Sequence, residues 1–581
     1  MRRLHIYIFI LLSIVANAQH TDKISDHLKE AMLSGFQHDI IILMEEQTDI
    51  NTAHIKGKYA KAVFVYETLA DKAVTSQRTV RTILENHGAD YHTYNVVNAL
   101  SLKANNNLIE ELAAQKTVRR VLYDPWFKIE QSVATSKPLT QYRMADTTYG
   151  VKMINAPAVW EQGITGQGIT VAGQDTGYDW NIDPLRSKYR GWNSTDSTAD
   201  HNYHWHDAIH EISPLHGDTM PSPDQNPCGL DALEPCDDNN HGTHTMGTMV
   251  GSTDEEAIGV APDAKWIGCR SLERGWGKLS TYTECFEFFL APTDLNGENP
   301  KPELAPHVIN NSWYCPAEEG CTPDTWEVMQ IVMENIKASG TMLVVSAGNS
   351  GPGCSTIEAP PAIFETAFTV GAVAADSIIA NFSSRGPLST DSTTIAPHVV
   401  APGVQVRSVI RGGVFQNNSG TSMSGPHVAG MAALLFSSDP QFEGEVSTIE
   451  NVITSSTLQR LSSQDCSSFL GDEVPNAVYG HGIVDVFWAL ESLKITSTEE
   501  TQISGSIKVY PNPTTQSISL EVTDEVIENI LVTDISGKTI VNRVNVKNSL
   551  ANIDLHGQPS GLYIYKVATA NHTYSGKISK L

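Results

Sequence analysis

At 581 residues the chain is long enough for three to five folded units of roughly 100–200 residues each. Its 66 acidic residues against 39 Lys and Arg leave a formal net charge of −27, which excludes a nucleic-acid binder, whose footprint is basic, and excludes docking on anionic lipid. With 40% hydrophobic and 18% charged residues, the composition is that of a globular chain, neither disordered nor polytopic.

The N-terminus reads as an address. Arg2 and Arg3 precede the apolar run Leu4–Val15, and Ala16-Asn17-Ala18 fits a small-x-small cleavage site. Residues 1–18 are therefore predicted to be a signal peptide, with Gln19 first after the cut; such a run is too short to span a bilayer as an anchor. The alternative is a buried first helix. No other stretch is apolar enough for a membrane span, so the protein is expected outside the cell or at its surface, with no transmembrane anchor in its mature form. The 8 cysteines agree with export: an even number, all between Cys228 and Cys466, suggests disulfides. The short loops Cys228–Cys236 and Cys315–Cys321 are the expected pairs. The absence of CxxC weakens zinc-ribbon and thioredoxin readings.

Residues 19–140 hold no cysteine. Asp39–Met44 reads as a buried strand, Lys58–Ala73 and Thr75–His87 as helices, Val96–Leu102 as a strand, Leu108–Ala114 as a helix and Val118–Tyr123 as a strand. The pattern suits a small ferredoxin-like α+β unit. Ser132–Thr148 reads as a linker. In 145–495, apolar strands (Ile169–Gln174, Lys265–Cys269, His307–Asn311, Thr341–Ser346, Ala367–Val373) alternate with helices (Thr243–Val250, Thr281–Leu290, Asp324–Ser339, Ser422–Ser437). That predicts an α/β domain with a doubly covered parallel sheet. A polar linker, 496–506, precedes short alternating strands over 507–581, which predict a small β-sandwich.

Four segments carry chemistry. Asp175 ends an apolar strand and opens a Gly turn, where α/β sheets collect ligands. Alone it is an ordinary turn. An aspartic-protease dyad would need a second such Asp, and none follows. His241 opens HGTHTMGTMVG; a metal pair with His244 is the rival, but the chain lacks HExxH. Ser422 stands between a Gly turn and an apolar helix, whose N-terminus offers free N–H groups to an oxyanion. Ser424 replaces the second glycine of a nucleophile elbow, which disfavours a lipase or esterase. Asn349 ends a buried strand between Gly348 and Ser350 and can offer its amide N–H into a cleft.

Each segment alone is weak, but the order Asp…His…Asn…Ser is specific. The region 149–490 resembles the subtilisin-like serine proteases (subtilases, peptidase family S8). The matching blocks are Ile169–Gly177, Asn240–Gly251, Val308–Ser312, Thr341–Gly351, Asn381–Pro387, Val399–Val404 and Gly420–Gly430. Val151–Gly168 and the Trp205/Asp207 stretch are most similar to bacillopeptidase F-type members. The resemblance implies an Asp175-His241-Ser422 triad, an oxyanion hole at Asn349, and substrate-binding positions at Ser312 and Gly348. It implies peptide-bond hydrolysis in protein and peptide substrates through an acyl-enzyme, by a monomer that needs no cofactor for catalysis.

The sequence departs from the family where Trp313, Tyr314 and Cys315 follow Ser312, which bears on the S1 pocket; Glu358 is a candidate for that pocket's floor. Between Ser194 and Asn240 the chain carries acidic residues and histidines with no Lys or Arg, so structural calcium is an expectation, against a solvated acidic loop. Residues 39–124 resemble the inhibitor-like subtilase propeptide, with a cut expected between Ser132 and Tyr149. The tail, through Val509-Tyr-Pro-Asn-Pro513, Asp534–Lys538, Pro559–Tyr565 and Lys577–Leu581, resembles the type A sorting domain of the type IX secretion system, whose machinery would be a partner. Two rival readings are a catalytically dead adhesin on the same fold and an esterase with the same triad.

Overall fold

A computed structural model describes residues 22–580 except 129–132, 135–146, 218–221, 223–224, 316–320, 498–506, 524, 535–538, 560 and 570–572. The signal peptide, most of both linkers and the Ser536-Gly537 turn lie outside the described residues. The chain divides between Leu490 and Glu491 into two compact units.

The first unit is built on a seven-stranded parallel sheet. Its order is Trp205–Asp207, Lys265–Arg270, Thr170–Asp175, Val308–Asn311, Met342–Ser346, Phe368–Val373 and Val399–Pro402. Strands such as Thr170–Asp175 and Met342–Ser346 are buried at every residue, as a sheet covered on both faces requires. Helices Leu279–Leu290 and Pro323–Ala338 cover one face, packing on Ala172, Ile267, Ile309, Leu343 and Val345. Helices His241–Val250 and Thr421–Ser437 cover the other. Small residues set that spacing: a Cβ on Gly430 would stand 2.6 Å from Val260 and 3.1 Å from the Met249 carbonyl.

All eight cysteines pair, as Cys228–Cys236, Cys269–Cys285, Cys315–Cys321 and Cys354–Cys466, and include both short loops expected from spacing.

Residues 38–123 form a four-stranded antiparallel sheet, ordered Tyr91–Tyr94, Ala99–Ala104, His38–Met44 and Val118–Tyr123, with helices Lys58–Ser76, Arg78–His87 and Asn106–Ala113. The strand expected at Val96–Leu102 is in fact a hairpin turn and the start of the following strand. The turn looks like a strand because Val96 and Val97 are apolar, and both are fully buried against the parallel-sheet domain. One hydrophobic cluster runs from Ile41, Leu43, Val65 and Leu69 into Cys285, Phe286, Val328 and Val332, so this layer and the large domain share a core.

The second unit has a three-stranded sheet (Ile507–Tyr510, Ser517–Val522, Leu550–Asp554) and a four-stranded sheet (Thr539–Asn548, Ile527–Asp534, Gly561–Thr569, Thr573–Lys580), both antiparallel. Alternate residues of both, among them Leu520, Val532, Ile553, Tyr565 and Ile578, meet in one core. Among the described residues no helix is long and apolar enough to cross a membrane.

Candidate active site

Three neighbouring strands end in the residues singled out from sequence. Asp175 closes Thr170–Asp175, Ser312 follows Val308–Asn311, and Gly348 and Asn349 follow Met342–Ser346. All lie at the carboxyl ends, where an open parallel sheet leaves its crevice.

The Asp175 carboxylate accepts from Thr176 N at 2.7 Å and faces His241 Nδ1 at 2.8 and 2.9 Å from its two oxygens. Both side chains are buried. Burial alone would lower the His241 pKa; the charge and hydrogen bond of Asp175, joined by the charge of Asp237, outweigh it and hold the pKa above the ordinary 6.5. The bond at Nδ1 leaves Nε2 as the acceptor of the neutral ring, and Nε2 is buried without a hydrogen-bond partner. Gly242 permits this approach, because a Cβ there would lie 2.1 Å from the Gly177 carbonyl.

His244 does a different job. Its Nε2 donates to the carbonyls of Val406 and Gln416 at 3.1 and 3.2 Å, and burial pushes its pKa down to about 3, so it is a neutral core group. The metal-pair rival is thereby removed for these two rings, which point to separate partners.

Ser422 is the second residue of its helix, where the backbone N–H has no intrahelical acceptor. Asn349 Oδ1 accepts from Thr421 N at 2.9 Å and Thr421 Oγ1 at 3.0 Å. A backbone N–H can only donate, so the amide oxygen is the group held and the amide NH₂ is left to donate elsewhere. Gly348 holds Asn349 in place with φ +100°, where a Cβ would also stand 2.9 Å from Ser384 Oγ.

Ser312 and Ser422 are tied twice. Pro426 has no N–H, so the Ser422 carbonyl, four residues back, loses its helical donor. Ser312 Oγ donates to that carbonyl instead at 3.0 Å, and Asn310 Nδ2 donates to Ser312 Oγ at 2.8 Å. In return, Ser422 Oγ donates to the Ser312 carbonyl at 3.2 Å. The Ser422 hydroxyl thus rests on Ser312, not on His241. The side chain of Ser312 works inward, under the helix.

The residues after Ser312 fill the cleft wall with aromatic rings. Trp313 is buried and stacks on Tyr282 at 3.5 Å between centroids, and Tyr282 stacks on Phe127 at 5.4 Å. Glu358 is exposed.

The described residues of the acidic insert form buried ion pairs. Asp207 takes the fully buried Arg270 through two hydrogen bonds of 2.9 Å, with Asp238 at 3.4 Å from the same guanidinium. Glu211 pairs with Lys278 at 2.5 Å. Asp237 lies under the His241 helix and was not foreseen from sequence; its signal was the polar run Asp237-Asp-Asn-Asn240 directly before the helix. Among the described residues no group of three or more His, Cys, Asp or Glu side chains is arranged to hold a metal ion.

Residues 166–482 match the profile described as the Subtilase family. The chain belongs to the subtilase family. As a subtilase it is a serine-type endopeptidase. It is 33% identical to bacillopeptidase F of Bacillus subtilis (strain 168) over 454 residues, covering 75% of this chain and 29% of that protein. It is 27% identical to subtilisin E of the same organism over 417 residues, covering 71% of this chain and 86% of that protein. It is 30% identical to serine protease AprX, again from that organism, over 277 residues, covering 43% of this chain and 58% of that protein. Residues 508–580 match the profile described as a Secretion system C-terminal sorting domain, which addresses the protein out of the cell or to its surface.

Proposed function

We propose that this subtilase hydrolyses peptide bonds through Asp175, His241 and Ser422, is made as a zymogen, and leaves the cell through the type IX secretion machinery. The observation that carries the mechanism is the buried Asp175–His241 pair, with His241 Nε2 unpartnered, packed beside the helix whose second residue is Ser422. Ser422 Oγ leaves the Ser312 carbonyl, at a cost of about one hydrogen bond, ~1 kcal/mol, and turns to His241. The imidazole removes its proton as it attacks the substrate carbonyl; Asp175 stabilises the imidazolium. The Asn349 amide and the Ser422 N–H receive the oxyanion. The imidazolium then protonates the leaving amine, and water repeats the sequence on the acyl-enzyme.

The zymogen reading is supported by how residues 22–134 sit on the peptidase. Glu287 accepts from Asn95 N, Asn95 Nδ2 and Val96 N at 2.9, 2.6 and 2.6 Å. Lys61 reaches the Gly444 carbonyl and the Glu445 carboxylate at 2.8 and 3.1 Å. Phe127–Lys128 pairs antiparallel with Trp276–Gly277, and Val133–Ala134 pairs antiparallel with Asn418–Ser419, three residues before Ser422. Strand addition of this kind is how an extended substrate binds. The self-cleavage bond is accordingly between Lys128 and Val133, upstream of the Ser132–Tyr149 range expected from sequence except at the Ser132–Val133 bond. The aromatic site filled by Phe127 is then where a large apolar substrate side chain binds ahead of the cut.

The test compares wild type with Ser422→Ala on casein, short esters and a fluorophosphonate label. Wild type alone should digest casein and take the label; casein digestion by Ser422→Ala overturns the proposal.

A further inference from the structure

Four residues around the triad converge on a carboxylate outside it. The His241 helix begins without a side-chain cap: Asn240 has φ +87° and its side chain makes no capping hydrogen bond. The first N–H groups of the helix still need acceptors. Thr243 N finds Asp237 Oδ2 at 3.0 Å, and Thr243 Oγ1 donates to the same oxygen at 2.5 Å. Gly242 N finds Thr176 Oγ1 at 3.0 Å. That hydroxyl donates onward to Asp237 Oδ1 at 2.9 Å, which also accepts from Asn239 N and Asn240 N at 2.9 Å each. One buried carboxylate therefore takes five hydrogen bonds. They come from the residue after Asp175, the two residues before His241, and the residue two after it.

The backbone repeats the tie. Tyr178 N donates to the Cys236 carbonyl at 3.1 Å and Asp238 N to the Thr176 carbonyl at 3.3 Å. Gly177, at φ +98°, must be glycine, since a Cβ would lie 1.8 Å from the Cys236 carbonyl. The Cys228–Cys236 disulfide ends one residue before Asp237. Burial, the larger effect, raises the Asp237 pKa above the ordinary 3.8, and the ring of N–H and O–H donors works against it by favouring the acceptor-only anion.

We propose that Asp237 is a positioning residue for peptide hydrolysis: its carboxylate sets the separation between the Asp175 turn and the start of the His241 helix, and its negative charge supports the imidazolium that forms during turnover. It is 1% exposed, sealed beneath the His241 helix and out of a substrate's reach. The inference rests on the triad reading given above.

The charged and titratable groups around His241 are Asp175 from the strand, Asp237 from the preceding loop, His244 one turn along its own helix, and Tyr178, which is buried near both carboxylates; His427 on the Ser422 helix faces His244. Arg411 reaches the Asp237 carbonyl, at 3.2 Å. Of these, Asp175 and Asp237 are the anions that favour the protonated ring.

The test uses the full chain as wild type, Asp237→Asn, Thr176→Val and Ser422→Ala, assayed on a fluorogenic peptide across pH and normalised by fluorophosphonate active-site titration. Losing hydrogen bonds to a charged group should cost Asp237→Asn about ten- to hundredfold in kcat with KM within about twofold. Its acid limb of kcat/KM should move to lower pH, because a charge that favoured protonated His241 is gone. Thr176→Val keeps that charge but breaks the bridge to Gly242, so kcat should fall about tenfold with the acid limb unmoved. The proposal is overturned if titrated Asp237→Asn sites turn over at the wild-type kcat and acid limb. Should Asp237→Asn yield no folded protein, Thr176→Val decides, and a kcat within about twofold of wild type overturns the proposal. Activity surviving in Ser422→Ala would instead sink the triad reading, which separates the two failures.

Discussion

Pro426 and Ser312 form a pair whose coupling can be measured. Proline at 426 denies the Ser422 carbonyl its helical N–H, and Ser312 Oγ supplies the missing donor at 3.0 Å. In a Ser422→Ala background, which keeps that backbone carbonyl and prevents autolysis, Ser312→Ala strands a buried carbonyl and robs Asn310 Nδ2 of its acceptor. Each of these two unsatisfied buried groups costs about 1–3 kcal/mol, so unfolding free energy should fall by about 2–6 kcal/mol. Pro426→Ala returns an N–H to the same carbonyl. In that background Ser312→Ala should cost about 1–2 kcal/mol less, a coupling that a double-mutant cycle isolates. Urea denaturation followed by tryptophan fluorescence reads all four corners. With Ser422 restored, kcat should follow the same pattern, because the carbonyl belongs to the turn that carries the nucleophile. A cost for Ser312→Ala that is the same, within about 0.5 kcal/mol, with Pro or Ala at 426 would refute the reasoning.

Other outcomes follow from the same geometry. The acid limb of kcat/KM should lie above 6.5, since Asp175 and Asp237 outweigh burial at His241 and the base works only when deprotonated; a limb at or below 6.5 contradicts that balance. Lys58 is buried between the N-terminal layer and the peptidase, with its ammonium on the Ser339 carbonyl at 3.1 Å, and burial pushes its pKa down to about 7. The charged form is the one penalised, so Lys58→Met should stabilise the Ser422→Ala zymogen most below pH 7. That advantage should shrink as pH rises toward the ordinary 10.5, and a pH-independent gap in denaturation midpoint would be the wrong result. Tyr282→Ala should raise KM about tenfold for peptides with an aromatic residue at the Phe127 site and leave kcat nearly unchanged. N-terminal sequencing of the mature enzyme should begin between residues 129 and 133; a start at Gln19 overturns the zymogen reading.

Much of this architecture is legible in the chain itself, because a doubly covered parallel sheet writes its strands as unbroken apolar runs. Thr170–Asp175, Lys265–Arg270, Val308–Asn311, Met342–Ser346 and Phe368–Val373 all fall within a residue of where those runs predict. Strands whose identity depends on tertiary cover are harder. Trp205–Asp207 is an edge of three residues inside an acidic insert, and Val399–Pro402 reads as a motif with a proline at its end. The 91–104 hairpin is hidden in the sequence because Val96 and Val97 are apolar for docking, not for pairing. At the site, the residue types named their chemistry, but not the geometry that serves it. Ser312 looks like a cleft residue, yet its hydroxyl is spent on a carbonyl that Pro426 frees, a relation across 110 residues. Asp237 looked like one more charge in an acidic loop, and only the fold turns it under the His241 helix.

The most direct measurement is mass-spectrometric mapping of the fluorophosphonate adduct on the secreted protein, with its formation rate followed in wild type and His241→Ala. One adduct, on Ser422, formed fast in wild type and lost in His241→Ala, is the result expected. An adduct on another residue, or one on Ser422 whose rate ignores His241, would contradict the assignment of this site.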